Sequence, residues 1–225
     1  MSSILVVTAV VEELAAIAGA FYCQAGPSSP YPTETAATSA GDVVIMAGGI
    51  GMAAAAAATA YALGRESFDA VISMGIGGGF DGRASTGDVV VATTSVACQL
   101  GADSPDGFQT FGELGLLDTG IATGARTDLV AERLGARTGR ILTVSTVTGT
   151  DERALEYAAR WDPAAEAMEG WGVWSTVQPL GTVVPYEIRT ISNRVGRRDR
   201  ASWDIAGALD ALSAATVTLF EEPLT

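Results

Sequence analysis

The sequence predicts an α/β fold, a three-layer sandwich whose central sheet is mixed but mainly parallel. Three observations carry this. Short β-branched runs alternate regularly with helical stretches, the pattern of a sheet covered by helices on both faces. Two strands run into glycine-rich turns, "GGIG" (48–51) and "GIGGG" (75–79). The 225 residues, 48% of them apolar, are enough to fill one core, so 1–225 is read as a single domain.

The elements follow in order. Ile4–Ala9 reads as the first strand. A helix begins at Val11–Glu13 and runs to about Phe21, its opening acids facing the positive end of the helix dipole. Gly26–Ser39, rich in Pro, Ser and Thr, reads as a loop with room for an edge strand. Strand Val43–Ala47 leads through "GGIG" into helix Met52–Leu63, and strand Ala70–Met74 into "GIGGG". Asp88–Cys98 is a long strand, and 101–115 a loop long enough to be functional. Helix Thr127–Leu134, strand Ile141–Thr148 and helix Glu152–Ala159 follow. Ala165–Met168 is a short strand continuing into a helix through "EGWGVWSTVQ"; Tyr186–Ser192 is the last strand and Ser202–Leu219 the closing helix.

Composition excludes several classes. The net charge is −13, and all 13 basic residues are Arg. That balance disfavours nucleic acid and anionic membranes as partners. There is no His, which removes Ser-His-Asp and Cys-His triads and the usual zinc sites. Without Lys there is no Walker A loop, and neither glycine turn stands where a Rossmann site needs it. No metal or organic cofactor is expected. Cys23 and Cys98 are far apart and read as buried structural thiols. The uncharged stretch 43–64 is long enough to span a bilayer, but strand, glycine turn and Ala-rich helix explain it better. The first residues lack the basic start of a signal peptide, so a cytoplasmic protein is expected.

Ligands in such folds bind beyond the carboxyl ends of the strands. Three acids stand there. Glu12 and Glu13 open the first helix, and either is an ordinary first-turn acid or holds a water. Glu169, in the apolar run "AMEGWG", is either a surface helix-start acid or a carboxylate in a polar cleft. Two vicinal hydroxyls would suit it, one to each oxygen.

The ordered set "VTAVVEEL", "GGIGMAAAAAA", "SMGIGGGF" with "GDVVVA", "AMEG" and "RTISN" resembles the purine nucleoside phosphorylase and nucleosidase superfamily, over roughly residues 3 to 215. Within it, "GIGGGF", "GADSPDGF", "VSTVTGT", "AMEGWGV" and "ISNRVGRRDRASW" are similar to the branch that hydrolyses futalosine, a hypoxanthine nucleoside of an alternative menaquinone route. The resemblance implies a nucleoside phosphorylase-like fold, a small-molecule nucleoside substrate and a homo-oligomer. It implies Glu13, rather than Glu12, as the acid that activates water. Ile76, Gly77 and Gly78 would lie against base and sugar, Met168 and Glu169 would hold the ribose, and Trp203 would line the base pocket beside Ser192.

Where adenosine-type nucleosidases carry an acid that protonates the purine, this chain has Asn193. A carboxylate suits adenine, whose 6-amino group is a donor. A 6-oxopurine presents two acceptors, N7 and O6, and an amide can donate to both. Asn193 therefore points to hypoxanthine as the leaving base, with the amide stabilising its charge. Five arginines lie between 189 and 200, and Arg194, Arg197 and Arg198 are candidates to meet the substrate's carboxylate. Loop 101–115 is the expected lid. Stretches 8–14 and 46–52 carry no Arg for a phosphate, which favours water as the nucleophile.

Overall fold

The whole "GIGGG" run is strand. In the computed structural model, which describes residues 2–117, 120–122 and 126–224, β5 extends from Ala70 through Gly79. The sequence reads these glycines as a turn, but they are a strand stripped of side chains so that neighbours can approach. A Cβ at Gly77 would lie 2.8 Å from the Glu166 carbonyl oxygen, and one at Gly75 would strike the Glu13 carboxylate.

Before β5 come β1 (Ser3–Thr8), α1 (Val11–Ala18), β2 (Gln24–Ala25), β3 (Thr33–Thr38), β4 (Gly41–Ala47) and α2 (Met52–Leu63). After it come β6 (Val89–Ala97), the hairpin β7 (Gly101–Ser104) and β8 (Gly107–Thr110), β9 (Gly120–Ala122), α3 (Thr127–Leu134) and β10 (Arg137–Thr143). The chain ends with α4 (Asp151–Trp161), β11 (Pro163–Ala167), α5 (Gly170–Val177), β12 (Val184–Arg194) and α6 (Ile205–Leu219). Most elements fall within a few residues of their sequence positions. The exceptions are the expected loop 26–39, most of whose second half is β3, and 101–115, which opens as a hairpin.

The ten-stranded sheet runs β11-β10-β6-β12-β5-β1-β4-β3-β2. Its pairings are mixed: β1 with β4 and β5, β12 with β5, and β10 with β6 and β11 are parallel, whereas β3 with β4, β12 with β6 and β6 with β9 are antiparallel. The sheet is not a flat middle layer. β11 pairs back onto β5, closing β5, β12, β6, β10 and β11 into a ring. The expected sandwich is thus curled into a barrel over that half.

Alternation along β1 shows how the core is divided. Ile4 and Val6 pack with Leu14, Ile17, Val130 and Leu212 of α1, α3 and α6, while Leu5 and Val7 pack with Ala55, Ala58, Val173 and Trp174 of α2 and α5. Helices therefore cover both faces. Cys98 is buried, its thiol pushed up to about 12 by burial. Cys23 is only half-buried, against expectation.

The contact between α2 and α5 has no slack. A Cβ at Gly172 would strike the Met52 carbonyl oxygen. Gly172→Ala is expected to cost about 1–3 kcal/mol through overpacking. A thermal melt should show a Tm lower by roughly 2–10 °C, and a Tm within about 1 °C of the parent would contradict this packing.

Candidate active site

Glu13 is the third residue of α1, and its cap partner Val10 offers no polar side chain. The carboxylate caps the helix itself: Oε2 accepts from the Ala9 N–H at 2.8 Å and the Val10 N–H at 3.3 Å. Oε1 reaches across the sheet to accept from the Ile76 N–H at 2.8 Å. Glu13 is buried while Glu12 is exposed, so the fold separates two acids that the sequence leaves adjacent.

Glu169 immediately precedes α5 and is also buried. Its Oε1 accepts from the Gly51 N–H at 3.0 Å, and Oε2 from the Met168 N–H at 3.2 Å. The "GGIG" turn thus serves to bring a backbone donor to this carboxylate.

Between the two acids lies a residue the sequence offers only as one of a cluster. Arg189, on β12, is fully buried. It donates to Ser73 Oγ at 2.7 Å and to Glu187 Oε1 at 3.2 Å, and lies 3.7 Å from Glu169 Oε2. Burial opposes its charge, but the Glu187, Glu169 and Glu13 carboxylates outweigh that and hold it protonated. Burial likewise pushes the Glu13 and Glu187 carboxyls up, and Arg189 pulls them back. The signal for Arg189 and Glu187 in the sequence is weak, two charges two apart in an apolar strand.

β12 runs past Ser192 to Arg194, with a bulge between Ile191 and Asn193 in its pairing to β5. Bulges re-aim side chains. Ser192 Oγ–H donates to Asn193 Oδ1 at 2.9 Å, which orients the amide. Asn193 Nδ2 donates to the Arg194 carbonyl at 2.9 Å, leaving its second N–H for another acceptor.

Glu13, Glu169, Ser192 and Asn193 open onto one cavity of about 390 Å³. Glu13, Ile76, Gly77, Gly78, Met168, Glu169, Ser192, Asn193, Arg194, Arg197 and Trp203 line it. Arg198 also lines it and, like Arg200, lies over the Trp203 ring. The Arg194 guanidinium is committed to Asp81 at 2.6 Å and Asp151 at 2.9 Å. Arg197 gives its backbone N–H to Asp151, and its guanidinium makes no ion pair among the described residues. The hairpin β7–β8 contributes Asp103 and Phe108 to a neighbouring cavity instead. One further buried acid, Glu166, lines the main cavity and was not singled out by the sequence. Among the described residues there is no His/Cys/Asp/Glu cluster fit to hold a metal and no helix long and apolar enough to cross a membrane.

Buried carboxylates and an oriented amide around one pocket suit a sugar joined to a base. The chain belongs to the phosphorylase superfamily, whose family model matches residues 3–221. Within it the chain stands with the futalosine hydrolases. It is 45% identical to that of Streptomyces coelicolor over 178 residues, 76% of this chain and 75% of the relative. It is 43% identical to that of Acidothermus cellulolyticus over 228 residues, 96% and 89% of the two. The crystal structure of an S-adenosylhomocysteine nucleosidase from Streptococcus pyogenes superposes with a TM-score of 0.86, covering 98% of this chain and 96% of that one. At 17% identity this shows a shared fold.

Arg189→Met would leave three buried carboxylates facing one another. We expect a loss of about 3–5 kcal/mol at pH 7 in denaturant unfolding. Glu13 and Glu187 already have folded pKa values above their unfolded ones. Such groups cost nothing below the unfolded pKa and destabilise as pH rises through the folded one. The variant's deficit should therefore shrink towards pH 5; a deficit independent of pH would contradict the charge cluster.

Proposed function

We propose that the chain is a nucleosidase that hydrolyses the N-glycosidic bond of futalosine, releasing hypoxanthine and dehypoxanthine futalosine in menaquinone biosynthesis. The observation that carries this reading is the grouping of Glu13, Glu169 and Asn193 around one cavity. The relatives' names support the substrate.

Glu13 is the general base. Its backbone donors fix both oxygens, and Oε1, which accepts a single bond, keeps a lone pair for a water. Burial raises its pKa and so its basicity, while Arg189 opposes that rise and favours the anion. Glu169 accepts from the ribose 2′- and 3′-hydroxyls, and Met168 packs against the sugar. As the bond to the base lengthens, charge builds on the purine, and the remaining Asn193 N–H is shared between N7 and O6. Trp203, backed by Arg198, offers a face to the base. The substrate's carboxylate meets Arg197, because Arg194 is already held by two aspartates.

Phosphorolysis is the poorer reading. The buried arginine of the site is neutralised by its own carboxylates, and a phosphate would face Glu13. Ile50, Val147 and Ile205 are exposed apolar residues around the cavity, which supports a second copy of the chain covering it in a homo-oligomer. The chain acts as one catalytic unit, in the cytoplasm.

The test is base release from futalosine and from methylthioadenosine, side by side, without phosphate. Hypoxanthine from futalosine alone is expected. Adenine from methylthioadenosine alone would overturn the reading of Asn193, and a requirement for phosphate would overturn hydrolysis. Asn193→Asp should lower kcat/KM for futalosine by roughly 10²-fold, since a carboxylate opposes O6.

A further inference from the structure

Glu166 is the one cavity-lining acid that this mechanism leaves unused. It is the fourth residue of β11, a strand whose other members are Pro and Ala, and it is 6% exposed. Its Oε1 accepts from the Thr148 backbone N–H at 2.8 Å, and the Thr148 hydroxyl donates to Oε2. A carboxylate has about four lone-pair sites, so these two bonds leave acceptor capacity. Burial pushes its pKa up, and the bonds from Thr148 oppose that. A strand at this place needs no charge to fold, and burying one is costly.

The sheet fixes where Glu166 stands. Across β11–β5 it opposes Gly78, and across β12–β5 Asn193 opposes the same Gly78. The two residues flank one with no side chain, on strands roughly 10 Å apart, and both line the cavity.

The edge of hypoxanthine reads N7 acceptor, O6 acceptor, N1–H donor. The one free Asn193 N–H, shared between them, serves the first two. The N1–H needs an acceptor, and Glu13 and Glu169 are engaged with water and ribose. Building on the nucleosidase reading above, we infer that Glu166 accepts the N1–H of the base and, with Asn193, selects a 6-oxopurine over a 6-aminopurine. Adenine presents an N1 lone pair to the carboxylate and an amino donor to the amide, and fits neither.

The experiment compares kcat/KM for two nucleosides with the same sugar portion, one carrying hypoxanthine and one adenine. The wild type should prefer hypoxanthine. Glu166→Gln, isosteric and able to donate to adenine N1, should cut that preference ~100-fold. Glu166→Asp, which keeps the charge, should retain most of it. Thr148→Val, which keeps the backbone N–H but removes the hydroxyl, should leave the ratio within about threefold. If Glu166→Gln slows both substrates equally, or Thr148→Val shifts the ratio as much, Glu166 acts only by holding the 144–150 segment and the inference falls. A wild type that releases no hypoxanthine would show in the first arm and overturn the nucleosidase reading itself.

Discussion

A single buried guanidinium holds this site together. Arg189 sits on β12 with no exposure, between Glu187 on its own strand, Glu169 before α5 and Glu13 on α1. Without it, three carboxylates would share a space shielded from water, where like charges repel strongly. With it, both helix ends can be drawn onto the sheet. The glycines follow from the same demand: Gly75 makes room for the Glu13 carboxylate and Gly170 for that of Glu187.

That arrangement gives Glu13 opposing influences. Burial favours its neutral form, while Arg189 and the Ile76 and Ala9 N–H groups favour the anion. A base needs both, enough charge to take a proton and enough basicity to hold it. Across the cavity the chemistry is milder. Asn193 cannot lend a proton as an acid does, so in the proposed mechanism the departing base is one that an amide donor stabilises. The hypoxanthine reading thus follows from a residue that is a weaker catalyst and a better discriminator.

Much of this was legible in the sequence. The strand–helix alternation gave most elements within a few residues, and Glu13, Met168, Glu169, Ser192 and Asn193 stand at strand ends, where ligands bind in α/β sheets. What was hidden depends on contacts distant in the chain. Arg189 meets Ser73 across 116 residues and Gly51 meets Glu169 across 118. A glycine run reads as a turn because isolated propensity says so; only the presence of β11 and β12 on either side makes it a strand. Glu166 escaped because an acid among alanines carries no period or motif. The closure of the sheet through β11–β5 escaped for the same reason, a pairing of Ala165 and Glu166 with two glycines.

The pH dependence of kcat/KM for futalosine tests the central claim most directly, since it reports the ionisation of the free enzyme's base. The account predicts an acid limb with an apparent pKa above ~4.3, the ordinary value for a glutamate, and its disappearance, with ~10²–10⁴-fold lower activity, in Glu13→Gln. An acid limb at or below that value, or one that survives in Glu13→Gln, would contradict it.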